Sequence, residues 1–163
     1  MKTIKTILFG GPGAATAFGD VGLFLLRASF GIFMLAFHGW GKLFPEGGGL
    51  GPTQGFVENT GSMGFPMPLL FAWGAVLAET VFALLITLGL FTRLSASVLV
   101  FTMGVAAFVV HAGDPWPMGG EGDSKEPAML YLVTYLLFVF TGAGRYSLDA
   151  VLLRRRGGSK ARG

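Results

Sequence analysis

The chain has 163 residues, of which 52% are hydrophobic and 13% charged, and its mean hydropathy is +0.64. Soluble domains carry about 25% charged residues, so this composition excludes a soluble enzyme, a disordered chain and a free nucleic-acid-binding module, and it indicates a protein surrounded mostly by lipid. The net charge of +3 is small, and the absence of cysteine excludes disulfides, thiol catalysis, iron–sulfur clusters and c-type haem.

The first predicted element is an N-terminal tail at residues 1–20. Lys2 and Lys5 precede a short apolar run that is broken at Gly10 and Pro12. Because a signal peptide needs about 7–15 consecutive apolar residues, we interpret the segment as a cytoplasmic tail, with a signal peptide as the alternative.

Four apolar stretches follow, and each approaches the roughly 20 residues that a helix needs to cross a bilayer. They lie at about residues 21–41, 69–90, 94–112 and 127–144. The link between the second and third stretches is very short, so these two helices must be antiparallel neighbours. The sequence therefore predicts an all-α fold, a four-helix transmembrane bundle that occupies residues 21–152.

A glycine-rich segment at residues 44–68 joins the first two spans. It contains no GxGxxG motif between a strand and a helix, so phosphate binding is not supported. Long ordered loops are often functional, and Phe56 and Val57 could lie in a half-helix at the mouth of the bundle.

The basic residues predict the orientation of the bundle. With four spans, nine of the twelve Lys and Arg residues fall on one side, Lys42 and Lys125 on the other, and Arg27 within the first span. Because basic residues concentrate in cytoplasmic loops, we predict a protein of a prokaryotic inner membrane with both termini in the cytoplasm and the glycine-rich loop outside. The basic tail at residues 153–163 is interpreted as a topology anchor attracted to anionic lipid, not as a nucleic-acid patch.

A handful of ionisable residues remains at or near membrane depth: Arg27, His38, Lys42, Glu79 and His111. Such residues cost several kcal/mol in lipid and usually face the interior of a bundle. At about 100° per residue, the three on the first span share an arc of about 60°, while Glu79 and His111 each lie on a face of small residues suited to close packing. Arg27 and Glu79 differ in depth by about 6 Å, which favours an ion pair between them.

Each of these features has a structural interpretation beside a functional one. The pair of Arg27 and Glu79 could simply fix the register of two helices. His38 and His111 could be interfacial hydrogen-bonding residues, could bind a quinone head group, or could ligate b-type haem, for which two histidines on separate helices are a weak signal. No metal site is expected, because neither histidine is taken to have a second histidine or a carboxylate at i+3 or i+4.

Four segments also carry a family resemblance. They are RASFGIFMLAFHGWGKLF at Arg27–Phe44, LAETVFALLITLGLFTRLSA at Leu77–Ala96, VVHAGD around His111, and GAGRYSLDAVL at Gly142–Leu152. In this order and spacing they resemble the DoxX family of small four-helix membrane proteins. The resemblance implies a four-helix membrane bundle. Some relatives are subunits of quinone-linked oxidoreductases, including thiosulfate:quinone oxidoreductase, or of complexes that detoxify oxidants, and many have no established activity.

The resemblance also implies which positions are polar in the family. They correspond here to Arg27, Lys42, Glu79, His111 and Glu126. The acidic residue that opens the fourth span usually follows Gly-Tyr in the family, whereas Glu126 follows Ser-Lys and precedes Pro127.

Two functional hypotheses follow. In the first, the chain is a membrane subunit or accessory of a quinone-linked redox system, in which a quinone enters between helices, His38 or His111 binds its carbonyl, and Glu79 or Glu126 relays the proton. In the second, it is a non-catalytic membrane scaffold whose buried polar residues hold the bundle together, and whether it is an enzyme stays open. A small transporter component is a third, weaker possibility.

The first hypothesis assigns roles to named residues. Glu79 and His111 are the candidate catalytic proton relay, and the candidate quinone-binding or cavity residues are Arg27, His38, Lys42 and Glu126. Quinone is the cofactor considered. The expected partners are the lipid bilayer, redox subunits and further copies of the chain, but not nucleic acid.

Overall fold

The computed structural model describes residues 17–116 and 123–152, which form five helices and, within these ranges, no strand. The helices are α1 (Ala17–Leu43), α2 (Gln54–Ser62), α3 (Pro68–Leu88), α4 (Thr92–Val110) and α5 (Glu126–Thr141). A short helical turn follows at 148–152. Most of the predicted tail at residues 1–20, and all of the tail at 153–163, lie outside the described ranges.

The length and apolar composition of α1, α3 and α4 allow each of them to cross a membrane, and α5 is a shorter apolar helix of 16 residues. The prediction of an all-helical membrane protein is therefore confirmed. The fourth predicted span was expected to reach residue 144, but α5 ends at Thr141. The chain leaves the helix there because Gly142 and Gly144 adopt positive φ angles of 72° and 73°.

The four long helices pack in a closed ring. In this ring α1 packs on α3, α3 on α4 and α4 on α5, and α5 returns to α1. Residues from all four form the core: Met34, Ala83, Ile86, Ala96, Leu99, Met103, Tyr135 and Phe138. Large apolar side chains such as Phe37 and Phe140 point outward and are exposed on the bundle surface. An exposed apolar exterior around a packed interior is the arrangement expected of helices whose solvent is lipid.

Two glycines allow α1 and α3 to approach closely. A Cβ atom at Gly31 would overlap the hydroxyl oxygen of Thr87, and one at Gly39 would overlap the backbone carbonyl of Glu79. Small residues at helix interfaces let backbones come together in lipid, where packing replaces the hydrophobic effect as the driving force. These two close contacts fix how far along its axis α1 is positioned relative to α3.

Three of the spans contain a π-helical segment, which the sequence did not predict. The segments are Met34–Gly39 in α1, Ala78–Phe82 in α3 and Ala106–Val110 in α4. A π segment accommodates an extra residue in one turn and therefore rotates the following side chains away from the face expected of a regular α-helix. Such segments occur frequently at functional sites.

Arg27 joins three parts of the fold at the end of the bundle where α3 finishes. Its guanidinium is 1% exposed and donates to the backbone carbonyls of Ile86 (2.6 Å), Thr87 (2.5 Å) and Tyr146 (2.8 Å). The first two carbonyls belong to the last turn of α3, where helical hydrogen bonding leaves acceptors without a partner. Arg27 thus closes the end of α3 and ties it to the chain after α5.

That C-terminal segment also caps the start of α4. The carboxylate of Asp149 accepts hydrogen bonds from the backbone N–H groups of Phe91 (2.9 Å) and Thr92 (3.0 Å), and the backbone N–H of Asp149 donates to the carbonyl of Gly89 (2.9 Å). Phe91 has a φ of 48°, a left-handed conformation that is unfavourable for a bulky residue. The carboxylate of Asp149 offsets this strain by satisfying the first donors of α4.

Replacing Asp149 with alanine should therefore destabilise the fold. We expect D149A to lower the free energy of unfolding by about 1–2 kcal/mol, the usual cost of losing a helix cap. Thermal unfolding of the purified protein in detergent micelles measures it. The control is S97A on the same helix, because the hydroxyl of Ser97 is exposed and donates to the carbonyl of Arg93 within α4. Equal melting of D149A and wild type would contradict the capping role.

The predicted orientation can be tested by cysteine labelling, because the chain contains no cysteine. We expect E46C, in the glycine-rich loop, to react with a membrane-impermeant maleimide added to intact spheroplasts. S159C, in the basic tail, should react only after the membrane is permeabilised. The opposite pattern of labelling would place both termini outside the cytoplasm.

Candidate functional site

A cavity of about 320 Å³ lies between α2, α3 and α4, with Lys42 from the last turn of α1 at its edge. Most of its lining is apolar or aromatic. The polar lining residues are Lys42, Asn59, Thr60, Glu79, Thr102 and His111. Its volume is within the range of small-molecule sites, which are typically apolar pockets with a few placed polar groups.

The short helix α2 covers this cavity. Thr53 caps its first turn by accepting a hydrogen bond from the backbone N–H of Phe56 (3.2 Å). Thr60, near the end of the same helix, is buried. Phe56 itself lines the cavity. Phe56 and Val57 both lie in this helix, as the sequence suggested, whereas its position at the mouth of the bundle stays a prediction.

Lys42 and Glu79 form an ion pair at one side of the cavity. The Nζ atom of Lys42 lies 2.7 Å from both carboxylate oxygens of Glu79 and 5.3 Å from the ring centre of Phe56. The side chain of Glu79 is 5% exposed, whereas that of Lys42 is 35% exposed. Glu79 lies in the π segment of α3, and its backbone carbonyl packs against Gly39. The pair is therefore fixed by α1 and α3 together.

His111 lies at another side of the cavity, immediately after the π segment of α4. Its Nδ1 atom is 2.7 Å from a carboxylate oxygen of Asp114, in a turn closed by a backbone hydrogen bond from Asp114 to His111. An ionised carboxylate only accepts hydrogen bonds, so the proton belongs on Nδ1. The Nε2 atom of the neutral ring is then an acceptor, and protonation converts it into a donor.

The structure brings together three of the six predicted site residues. Lys42, Glu79 and His111 line one cavity although they come from α1, from α3 and from the turn after α4. Arg27, His38 and Glu126 are not among its lining residues. Glu126 is the first residue of α5 and is half-buried, and its backbone N–H donates to the hydroxyl of Ser124 (3.1 Å).

The expected ion pair between Arg27 and Glu79 is wrong. Arg27 bonds to carbonyls at the end of α3, and Glu79 bonds to Lys42. Ile86 is seven residues beyond Glu79, which is about 10 Å along the helix. The side chain of Arg27 is occupied at the nearer carbonyls, and the close packing of α1 on α3 places Lys42 level with the carboxylate instead.

The three ionisable residues of α1 differ in burial, because Arg27 is buried, Lys42 is half-buried and His38 is exposed. His38 is exposed, and its ring packs edge-on against Tyr131 of α5 with the ring centres 5.3 Å apart. His38 lies within the π segment at Met34–Gly39, whose wider turn departs from the regular 100° steps assumed for the shared arc, so that arc stays a prediction.

The expectation that neither histidine has a carboxylate at i+3 or i+4 is wrong, because Asp114 stands at i+3 from His111. Asp114 forms a compact group with His111 and Asp123, whose ligand atoms all lie within 4.8 Å of one another. Within the ranges that the structure describes, this is the group that could hold a metal ion, which corrects the expectation that the chain offers no such set. Asp123 is exposed, and a histidine–carboxylate turn of this kind also forms without a metal.

The fold and the polar cavity define a class of protein, a helical integral membrane protein with a small internal site. The chain belongs to the DoxX family, whose sequence profile matches residues 22–112. No solved structure matches the chain.

Three curated proteins illustrate the similarity. Inner membrane protein YphA of Escherichia coli (strain K12) is 39% identical over 104 residues, which are 59% of this chain and 71% of that protein. An uncharacterized protein of Haemophilus influenzae is 36% identical over 123 residues, 72% of this chain and 81% of that protein. Inner membrane protein YqjF of E. coli (strain K12) is 32% identical over 142 residues, 83% of this chain and 95% of that protein. Two of the three names state a membrane location, and none states a reaction.

The unequal burial of Lys42 and Glu79 predicts unequal effects of mutation. K42M leaves the buried carboxylate of Glu79 without its cation, and we expect it to lower the free energy of unfolding by about 3 kcal/mol. E79Q leaves Lys42, which is partly exposed and can turn its amine toward water, so we expect a loss of about 1 kcal/mol. Thermal unfolding in detergent micelles measures both.

The double variant K42M/E79L is the control for this prediction. It removes both charges and keeps similar volume, so its stability should return to within about 1 kcal/mol of wild type. A K42M variant as stable as wild type would show that the carboxylate of Glu79 does not depend on Lys42.

Proposed function

We propose that the cavity binds the head group of a lipid-soluble quinone, and that the chain is a membrane subunit or accessory of a quinone-linked redox system. The observation that carries this proposal is the convergence of Lys42, Glu79 and His111, from α1, from α3 and from the turn after α4, on one otherwise apolar cavity. A quinone head group is a flat apolar ring with two carbonyl acceptors, so it needs the combination of apolar walls and a few donors that this cavity offers.

The donors and acceptors of the cavity fit the two carbonyl oxygens of such a ring. The ammonium of Lys42 has three hydrogens, and Glu79 engages it on one side, so it can donate to a carbonyl as well. His111 donates through Nε2 when its ring is protonated, and Asp114 stabilises the resulting charge. A bound quinone would take two electrons from a partner redox protein and two protons to become a quinol.

The chain's own residues would move the protons. In the proposed arrangement protonated His111 releases one proton to a ligand oxygen. Glu79 is ionised in its pair with Lys42, so it must first take up a proton from water before it can pass the second one to the ligand. His111 lies beside Asp114, at the partly exposed turn after α4, so it is the group through which a proton reaches the cavity from water. Glu79 is buried and also lines the cavity, where Lys42 holds its carboxylate.

A non-catalytic scaffold is the second candidate, and the direct ion pair of Lys42 with Glu79 favours it. A pair that serves only to hold two helices together needs no space beside it, and dense packing is the normal state of a protein interior. Here a cavity of about 320 Å³ adjoins the pair. Because open space adjoins the ion pair, where a purely structural pair would be densely packed, we prefer the binding function.

The two histidines provide a matched test. The wild-type protein is purified in nanodiscs and titrated with decylubiquinone, a quinone with a ten-carbon tail. We expect H111A to weaken binding at least tenfold, because it removes a cavity-wall donor, and H38A to leave binding within twofold, because His38 lies outside the cavity. Melting temperatures of both variants verify that they are folded.

The outcomes separate the two candidates. Absence of quinone binding by the folded wild-type protein, or equal weakening by H111A and H38A, would overturn the proposed function. Loss of stability in the cavity variants without any bound quinone would favour the scaffold.

A further inference from the structure

The cavity has two unlike sides. Its ionisable groups, Lys42, Glu79 and His111, stand at the ends of α1 and α4 and within α3. The facing surfaces of α3 and α4 that continue the lining are apolar, apart from the hydroxyl of Thr102, which donates to its own helix at the carbonyl of Val98 (3.0 Å). One cavity therefore combines a polar pocket with an apolar groove.

The apolar groove follows α4 for a considerable distance. The lining residues of this helix begin at Val98 and recur at three- and four-residue spacing as far as His111. Thirteen residues of helix measure about 20 Å, which is longer than a single aromatic head group. The space is thus elongated along the bundle, in the direction in which a lipid tail lies.

The groove opens sideways toward the surrounding lipid at Gly74 and Phe101. Gly74 of α3 lines the cavity and is exposed, and a Cβ atom added to it would meet no atom within 4 Å. The ring of Phe101 on α4 also lines the cavity, yet Phe101 is 67% exposed on the bundle surface. A ligand in the cavity can therefore extend out between α3 and α4 without displacing a packed side chain.

From this shape we infer that the groove between α3 and α4, marked by Gly74, Ala75, Val98, Phe101 and Val105, holds the hydrocarbon tail of the ligand, so that the site selects long-tailed quinones over free head groups. The inference rests on the proposed function, since the polar pocket must hold the head group for the tail to leave through the groove. The missing side chain at Gly74 provides the opening.

The variant G74L tests this directly. Leucine is a good helix former, and the empty space at Gly74 accepts it without a clash, so the fold should be retained. Its side chain would fill the groove. We expect G74L to weaken binding of decylubiquinone at least tenfold and to change binding of tail-less ubiquinone-0 by less than twofold, with both measured by titration in the same nanodiscs.

A second glycine provides the control. Gly41 of α1 is also exposed, also has no atom within 4 Å of an added Cβ, and does not line the cavity. We expect G41L to bind both quinones as wild type does. Melting temperature and size-exclusion profile are recorded for both variants, so that a change of fold or of oligomeric state is detected.

Each remaining result contradicts the inference in a distinguishable way. If wild type binds neither quinone, the proposed function fails and the tail groove fails with it. If wild type binds both and G74L weakens neither, the tail lies elsewhere while the proposed function stands. Equal weakening of both quinones would place the head group at Gly74, and a shift of oligomeric state in G74L alone would make the groove a contact between copies of the chain.

Discussion

A charged side chain inside a membrane bundle has to find its partners within the protein, and Arg27 meets this constraint with three backbone carbonyls. These acceptors come from the last turn of α3 and from the segment after α5, so one guanidinium connects α1 with two distant parts of the chain. The end of a helix carries partial negative charge, which suits a buried cation. Gly89 is required beside it, because a Cβ there would lie 2.8 Å from the central carbon of the guanidinium.

The position of Arg27 determines what happens at the other end of α1. Once Arg27 is fixed at the end of α3, the antiparallel packing through Gly31 and Gly39 leaves Lys42 opposite Glu79. The polar residues therefore divide into two sets. Arg27 and Asp149 hold segments of the chain together and are occupied by backbone groups, whereas Lys42, Glu79 and His111 border open space. This division explains why the polar positions that the DoxX resemblance singles out need not all belong to one site.

The sequence was sufficient to predict the apolar helices, but it was insufficient to predict which polar side chains pair with one another. Apolar length identified α1, α3 and α4, and the family resemblance is confirmed by the matching profile. The pairing of Arg27 failed because span boundaries are uncertain by a few residues, and four residues of helix are about 6 Å, which is enough to exchange one partner for another. The sequence also offered no sign of the π segment in α1, because a helical wheel assumes uniform turns of about 100° per residue.

The π segments lie at or next to the residues of the candidate site. Glu79 lies within one, and His111 follows another, so two of the three cavity-wall ionisable groups occur where regular helix geometry is interrupted. The interruption in α3 brings the backbone of Glu79 against Gly39 and directs its carboxylate to Lys42.

In the proposed function the contact between Lys42 and Glu79 has a chemical consequence. The ammonium of Lys42 has three hydrogens, so a bound ligand oxygen would share it with the carboxylate of Glu79. A pair packed without adjoining space could not respond in this way, since no ligand oxygen could reach the ammonium. The same contact would then stabilise the bundle when the cavity is vacant and take part in proton movement when it is filled.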